Sequence, residues 1–231
     1  RAVEILVRLL VNSQFLTELV LKYPEYLRRL TESKRLSEVR SRDEFLADFR
    51  AAASEAELDP VDAVRRIQRW ELLRIAACDF FGLMDLRRIT LQLSLLADAT
   101  VQAVLEVSIG GGAGPPAEGS MPLIVVALGK LGGEELNYSS DIDLLLLADQ
   151  PDAGTVKIAQ RLVRELGRMT AEGFLYRVDM RLRPWGRAGP LVADVSAYAD
   201  HLETHAAPWE LQALVKARVI AGDRVVGERV L

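Results

Sequence analysis

The hydrophobic pattern of this 231-residue chain changes character once, and that change limits the folds open to it. Through residues 1–109, apolar side chains recur three and four positions apart, which is the spacing of amphipathic helices. After residue 120, short continuous apolar runs replace that spacing, and such runs are typical of buried strands. The sequence therefore predicts an α+β protein whose strands follow an all-helical region.

The segment between these regions, residues 110–120, is rich in glycine and proline, which predicts a flexible loop. The predicted organisation is a helical region over 1–109, this loop, a second domain over 121–222, and the start of a further helical region over 223–231. The chain begins at Arg1 without a methionine and ends inside a helical pattern. We therefore expect it to be a fragment of a longer protein.

Local signals place the main elements. Asp59 followed by Pro60 predicts a helix start, because aspartate caps free N–H groups and proline suits the first turn. Beyond the loop, the patterns predict strands over 123–128, 142–147 and 176–182, a helix over 154–172, and helical structure from Ser196 onward.

Composition excludes several classes of protein. The net charge of −4 argues against a nucleic-acid partner such as duplex DNA or a large RNA. The single cysteine, Cys78, excludes an internal disulfide and a cysteine metal cluster. Neither a signal peptide nor an apolar run of membrane-spanning length is present, which predicts a cytoplasmic protein without a membrane partner.

Three aspartates fall beside the predicted strands. Asp141 and Asp143 stand at the mouth of an apolar strand, and their spacing of two puts both side chains on one face. Asp179 lies in a later strand whose other face is apolar. If these strands are neighbours, three carboxylates converge, and such a set suits Mg²⁺. Two ions held in this way can assist an in-line displacement at phosphorus.

Basic and glycine residues near these acids fit a substrate that carries phosphate. Arg181 and Arg183 share the predicted face of Asp179 and can neutralise a triphosphate by bidentate hydrogen bonds. The remaining candidate phosphate contacts are Gly129, Lys130, Gly132, Gly133 and either Ser139 or Ser140. A glycine cluster alone is more often a simple turn, and alternating arginines are more often an exposed edge strand. The combination favours metal-assisted chemistry on a nucleoside triphosphate, although neither a Walker P-loop nor a dinucleotide fingerprint is present.

Three longer segments resemble a known family. They are GKLGGEELNYSSDIDL over 129–144, RVDMRLRPWGRAGPL over 177–191, and WELQALVKAR over 209–218 followed by Gly222 and Asp223. In this order they are similar to signatures of the bifunctional glutamine synthetase adenylyltransferase/adenylyl-removing enzymes. The resemblance covers about half of the chain in strong motifs.

The resemblance implies a nucleotidyltransferase domain of the polymerase-β type over 121–222, with a small mixed sheet and helices. It implies that Asp141, Asp143 and Asp179 bind two Mg²⁺ ions as the catalytic residues. The phosphate-gripping turn stays open, since Gly129-Lys130 has the family's distance from the first aspartate and Gly132-Gly133 has its composition. The implied substrates are ATP, ADP and phosphate, and the implied partners are glutamine synthetase and the PII signalling protein.

Members of this family carry two such domains, one adding AMP to a tyrosine of glutamine synthetase and one removing it by phosphorolysis. The segment 137–143, with Met180, Trp185 and Pro190, resembles the N-terminal, adenylyl-removing half, which we favour. The segment 209–214 resembles the C-terminal, transferring half. Two alternatives stay open: a non-catalytic nucleotide-sensing or docking module of the same fold, and a related transferase acting on tRNA or an antibiotic.

Overall fold

The computed structural model describes residues 7, 8, 11, 13–33, 35–57, 59–110, 121–184 and 186–230, with only the backbone described at Arg187. Most of the first twelve residues and nearly all of the predicted loop over 110–120 lie outside this part of the chain. Within it, no helix combines the length and the apolar character needed to cross a membrane.

The first half of the described chain is helical. Its helices are α1 (Gln14–Lys22), α2 (Pro24–Glu32), α3 (Arg42–Ser54), α4 (Pro60–Phe80) and α5 (Leu86–Ile109). The helix start predicted at Asp59 is confirmed, because the Asp59 side chain accepts a hydrogen bond from the Val61 N–H. Long α4 and α5 pack against each other and against α3. This packing brings α5 into contact with the second half of the chain.

Strands and helices alternate in the second half. In chain order they are β1 (Ile124–Ala127), α6 (Gly129–Gly132), β2 (Ile142–Ala148), α7 (Ala153–Gly167), β3 (Val178–Asp179), a 3₁₀ turn (Gly186–Ala188), β4 (Ala193–Asp194), α8 (Val195–Thr204), α9 (Pro208–Leu214), β5 (Arg218–Gly222) and α10 (Arg224–Val230). The strands predicted over 123–128 and 142–147 correspond to β1 and β2 and are confirmed.

The strands form one small mixed sheet. Strand β1 lies in the middle and pairs antiparallel with β2 and with β5. Strand β2 pairs in parallel with β3 at its beginning and with β4 at its end. The predicted fold class, α+β with a small mixed sheet and helices, is confirmed. Because β3 pairs with the start of β2, the residues at that end of both strands share one edge of the sheet.

Both faces of the sheet are buried. Alternate residues of β1, such as Val125 and Ala127, belong to a core that includes α4, α5 and α7. Their neighbours Ile124 and Val126 face a second cluster that includes Tyr198 of α8 and Val219 of β5. The sheet is therefore a rigid layer between two sets of helices, which leaves its ends as the places where polar side chains can reach solvent.

The predicted strand over 176–182 is wrong in its extent, since β3 contains only Val178 and Asp179. The Arg181 N–H donates to Asp179 Oδ1 at 2.8 Å, and this local side-chain bond turns the backbone out of the sheet. Arg181 and Arg183 consequently lie in the turn after the strand and not along its face.

Two further predictions are corrected. Helix α7 ends at Gly167 and not at residue 172, because Thr170 and Gly173 exchange backbone hydrogen bonds in a tight turn. The helical pattern predicted from Ser196 onward is interrupted by strand β5. Pairing with β1 and burial of Val219 and Ile220 outweigh the local helical pattern there.

Candidate active site

The three predicted aspartates meet at the paired ends of β2 and β3. Asp141 immediately precedes β2, and Asp143 is its second residue. The parallel register places Asp143 directly beside Asp179 of β3. A hydrogen bond from the Ile142 N–H to the Arg177 carbonyl, 2.9 Å long, fixes this register. The strand pairing thus brings together the residues that the spacing pattern singled out.

The other two acids influence the electrostatic state of Asp143. Burial raises the pKa of Asp143, and the negative charges of Asp179 and Asp141 raise it further. The nearby charges of Arg181 and Lys130 oppose that rise. A carboxylate in such surroundings is costly to keep charged without a cation nearby. The site therefore gains stability from any positive charge that comes to it.

Arginines form ion pairs with the outer two acids, Asp141 and Asp179. Arg177 Nε lies 2.5 Å from Asp141 Oδ1, and Arg181 Nη2 lies 2.5 Å from Asp179 Oδ2. With the side chains so placed, no three histidine, cysteine or acidic groups of the described residues lie close enough to share one ion. Both arginines are largely exposed, so their contributions as counter-ions are weak and easily exchanged. The donor set fits Mg²⁺ once Asp141 and Asp179 turn from their arginines.

An open cleft of about 410 Å³ is lined by the outer two acids, Asp141 and Asp179. Its lining consists of Asp141, Val178, Asp179, Met180, Arg181 and Arg183. Arg183 Nε donates to the carbonyl of Gly186 at 2.9 Å, which holds this side chain at the cleft. Two acids and two arginines around one cleft suit a phosphate-bearing substrate accompanied by a metal cation.

The turn after β1 packs directly on the central acid. The Leu128 N–H donates to the Asp143 carbonyl at 2.9 Å, and α6 begins at the next residue. Gly129 has a φ of +55°, and a Cβ at this position would lie 2.5 Å from Asp143 Oδ2. Only glycine satisfies both constraints, since other residues resist positive φ and carry that Cβ. Gly129 therefore leaves the space that the Asp143 carboxylate occupies.

The other two glycines of the turn face elsewhere. A Cβ on Gly132 would lie 2.1 Å from the Lys216 carbonyl oxygen, and one on Gly133 would lie 2.8 Å from Lys216 Cδ. Close packing against the chain before β5 accounts for both glycines. Of the two candidate phosphate turns, the structure places Gly129 and Lys130 beside Asp143.

Ser139 and Ser140 lie on the far side of Asp141. The Ser139 carbonyl accepts a 2.6 Å hydrogen bond from Arg177 Nη2, the same guanidinium that binds Asp141. Both serines line a separate cavity of about 490 Å³ against the helical region. Neither belongs to the lining of the acid cleft, and their role as phosphate contacts stays a prediction.

Two arginines make contacts at this site that the sequence patterns did not predict. Arg177 anchors Asp141, and the alternation of arginines over 177–183 was the available signal. Arg218 was predicted on a helix, but it lies in β5 and its side chain reaches the α6 carbonyls. No local sequence pattern predicts these contacts, because the two hydrogen bonds span 86 and 87 positions of sequence.

A small mixed sheet with aspartates at the paired ends of two strands, and a glycine turn packed on one of them, is consistent with a nucleotidyltransferase-like domain. Comparison with known sequences agrees with this. The model of the glutamate-ammonia ligase adenylyltransferase family matches residues 3–231. The chain is also 36% identical, over 247 aligned positions covering 99% of it, to the bifunctional glutamine synthetase adenylyltransferase/adenylyl-removing enzyme of Thioalkalivibrio sulfidiphilus (strain HL-EbGR7).

This chain therefore belongs to the glutamate-ammonia ligase adenylyltransferase family. It spans 26% of the length of that relative.

Proposed function

We propose that this chain is a nucleotidyltransferase domain that adds AMP to, or removes it from, a tyrosine of glutamine synthetase and so regulates nitrogen assimilation. The observation that carries the proposal is the placement of Asp143 between Asp141 and Asp179, with Gly129 packed on its carboxylate. The relative's name supplies the partner and the two directions of reaction. PII is proposed as a partner of the whole protein.

The proposed ligands of Mg²⁺ are Asp141, Asp143 and Asp179. Bound ions would supply a Lewis acid at phosphorus and would lower the pKa of the attacking oxygen. Mutual repulsion among the three carboxylates, which raises the pKa of Asp143, would be relieved by such a cation. Arg177 and Arg181 are the present counter-ions of the outer acids and are released by the same exchange.

The cleft residues bind and orient the phosphates. Arg181 and Arg183 line the cleft, where their guanidinium groups can hold phosphate oxygens. Gly129 and Lys130 approach from the turn after β1, and Gly132 and Gly133 keep that turn packed on Lys216. The phosphorus undergoing attack would therefore lie between two groups of cations.

The bond changes follow from the two substrates. In the attaching direction, the tyrosine oxygen forms a bond to the α-phosphorus of ATP, and pyrophosphate leaves. In the removing direction, a phosphate oxygen forms a bond to the phosphorus of the tyrosine-bound AMP, and ADP and the free tyrosine leave. We favour the removing direction, on the resemblance of segment 137–143, Met180, Trp185 and Pro190 to the adenylyl-removing half.

The test is the intact mass of glutamine synthetase after incubation with this protein in both directions. One reaction holds unmodified glutamine synthetase, Mg²⁺ and ATP, and the other holds adenylylated glutamine synthetase, Mg²⁺ and phosphate. We expect the second reaction to lose one AMP per modified subunit and to form ADP. Gain of AMP in the first reaction would assign the attaching direction. No mass change in either, with folded protein, would contradict the proposal and favour a non-catalytic docking module.

A further inference from the structure

Helix α5 presents a row of buried polar side chains to the second half of the chain. Ser94, Asp98 and Gln102 are spaced four residues apart and therefore lie on one face of the helix. Ser94 Oγ accepts the Leu136 N–H at 3.1 Å, and Gln102 Oε1 accepts the Gly222 N–H at 3.0 Å. Each member of the row thus holds a backbone or side-chain group outside the helical region.

The central member of this row is a buried ion pair. Asp98 is fully buried, and its two carboxylate oxygens accept hydrogen bonds from Nη1 and Nη2 of Arg218 in β5. Burial raises the pKa of Asp98 to about 6, against the opposing effect of Arg218. Burying two charges has a larger desolvation free energy than forming an ion pair at the surface. Proteins in which apolar residues replace such a buried pair are often equally stable. Stability alone does not account for this pair.

The same guanidinium reaches the turn at the active site. Arg218 Nη2 donates to the Leu131 carbonyl at 3.0 Å, and Nε donates to the Gly132 carbonyl at 3.4 Å. These carbonyls end the short helix α6, and the Leu131 carbonyl also accepts the Glu134 N–H at 3.2 Å. The first residue of α6 is Gly129, which packs on Asp143 Oδ2. One side chain therefore links a buried charge in α5 to the turn that confines the central acid.

We propose that Asp98 and Arg218 are a positioning pair that holds α6 in place and thereby sets the position of the Asp143 carboxylate. Asp98 fixes the guanidinium, the guanidinium fixes the end of α6, and Gly129 at its start leaves the space that the Asp143 carboxylate occupies. Neither residue belongs to the lining of the cleft. The inference rests on the proposed function for its catalytic consequence, whereas its structural part can be tested without turnover.

Asp98→Asn is the first test, because it removes the negative charge with little change in volume. The remaining amide cannot hold the guanidinium as an ion pair, so α6 is expected to loosen. We expect about tenfold faster hydrogen exchange in a peptide covering residues 129–135, measured by mass spectrometry on the folded protein. We also expect the Mg²⁺ concentration for half-maximal turnover to rise about tenfold, in line with the effect of groups that orient metal ligands.

Arg218→Lys separates positioning from charge. Lysine keeps a cation beside Asp98, but a single ammonium cannot reach the carboxylate and both α6 carbonyls in the fixed geometry of a guanidinium. We expect its melting temperature to fall less than that of Asp98→Asn, with the same faster exchange and the same shift in Mg²⁺ dependence. This variant keeps the proposal testable even if Asp98→Asn does not fold.

The matched control is Glu106→Gln. Glu106 lies eight residues after Asp98 on the same helix, where it accepts hydrogen bonds from Arg50, at 2.9 and 2.6 Å, and from Gln102 Nε2, at 2.7 Å. We expect it to leave exchange over 129–135 and the Mg²⁺ dependence unchanged. Wild-type behaviour of Asp98→Asn and Arg218→Lys in both readouts would overturn the proposal, as would an equal effect of Glu106→Gln. If both variants show faster exchange and the wild type shows no turnover, the result would support the positioning and contradict only the proposed function.

Discussion

Replacing Asp143 by asparagine is expected to lower adenylyl transfer or removal by at least about a hundredfold. Loss of a group that only orients a metal ligand lowers metal affinity or activity by about ten- to a hundredfold. Loss of a ligand itself should lower activity by at least the upper end of that range. Asparagine keeps the size and one oxygen of aspartate but removes the charge that a divalent ion requires. The measurement is the rate of AMP gain or loss on glutamine synthetase, followed by intact mass at saturating Mg²⁺.

The fold of this variant should survive. The pKa of Asp143 is raised in the folded protein. Its protonated form therefore favours the folded state, and this contribution to the free energy of unfolding is lost as the pH rises through the raised pKa. A neutral asparagine does not lose that contribution, and the melting temperature at neutral pH should equal or exceed that of the wild type. Asp149, exposed at the other end of β2, offers the control Asp149→Asn, which should keep full activity. An Asp143→Asn protein that is folded and retains most of its activity would remove Asp143 from the reaction.

Gly129→Ala is expected to lower activity about a hundredfold through the same carboxylate. The new Cβ would lie 2.5 Å from Asp143 Oδ2, so the carboxylate must move. A displacement of about 1 Å in a reacting geometry can cost about a hundredfold in rate. The positive φ of +55° adds strain of about 1–2 kcal/mol to the folded state. The measurements are turnover and the free energy of unfolding in urea.

Gly82→Ala separates these two effects. Gly82 has a similar φ of +63°, but a Cβ there would meet no atom within 4 Å. It should lose about 1–2 kcal/mol of stability from backbone strain and keep its activity. Equal activity in the two alanine variants would show that the contact between Gly129 and Asp143 has no part in catalysis.

Residue spacing was sufficient to bring Asp141 and Asp143 together, because strand periodicity alone places both side chains on one face. Asp179 lies beside them only because β2 pairs with β3. The sequence pattern was compatible with that pairing but did not determine it. The extent of β3 was beyond local reasoning, since alternation continues to Leu182 while the Asp179 side chain turns the backbone at Arg181. Strand β5 was missed for a similar reason, because its pairing with β1 is a long-range contact.

The glycine cluster shows what a motif cannot distinguish. The sequence left both Gly129-Lys130 and Gly132-Gly133 open as candidates for the phosphate turn. In the structure, Gly129 packs on Asp143, whereas the other two accommodate Lys216. The link from Asp98 through Arg218 to α6 crosses 120 residues of sequence and had no local signature at all.

The most direct test of the central claim is a titration of the isolated protein with Mn²⁺, followed by loss of the free-ion electron paramagnetic resonance signal. It needs neither glutamine synthetase nor turnover, and it asks only whether Asp141, Asp143 and Asp179 hold divalent ions. We expect the wild type and Asp149→Asn to bind Mn²⁺ alike, and Asp143→Asn to bind it at least about tenfold more weakly. Equal binding by the wild type and Asp143→Asn, or no binding by any of them with nucleotide present, would contradict the account.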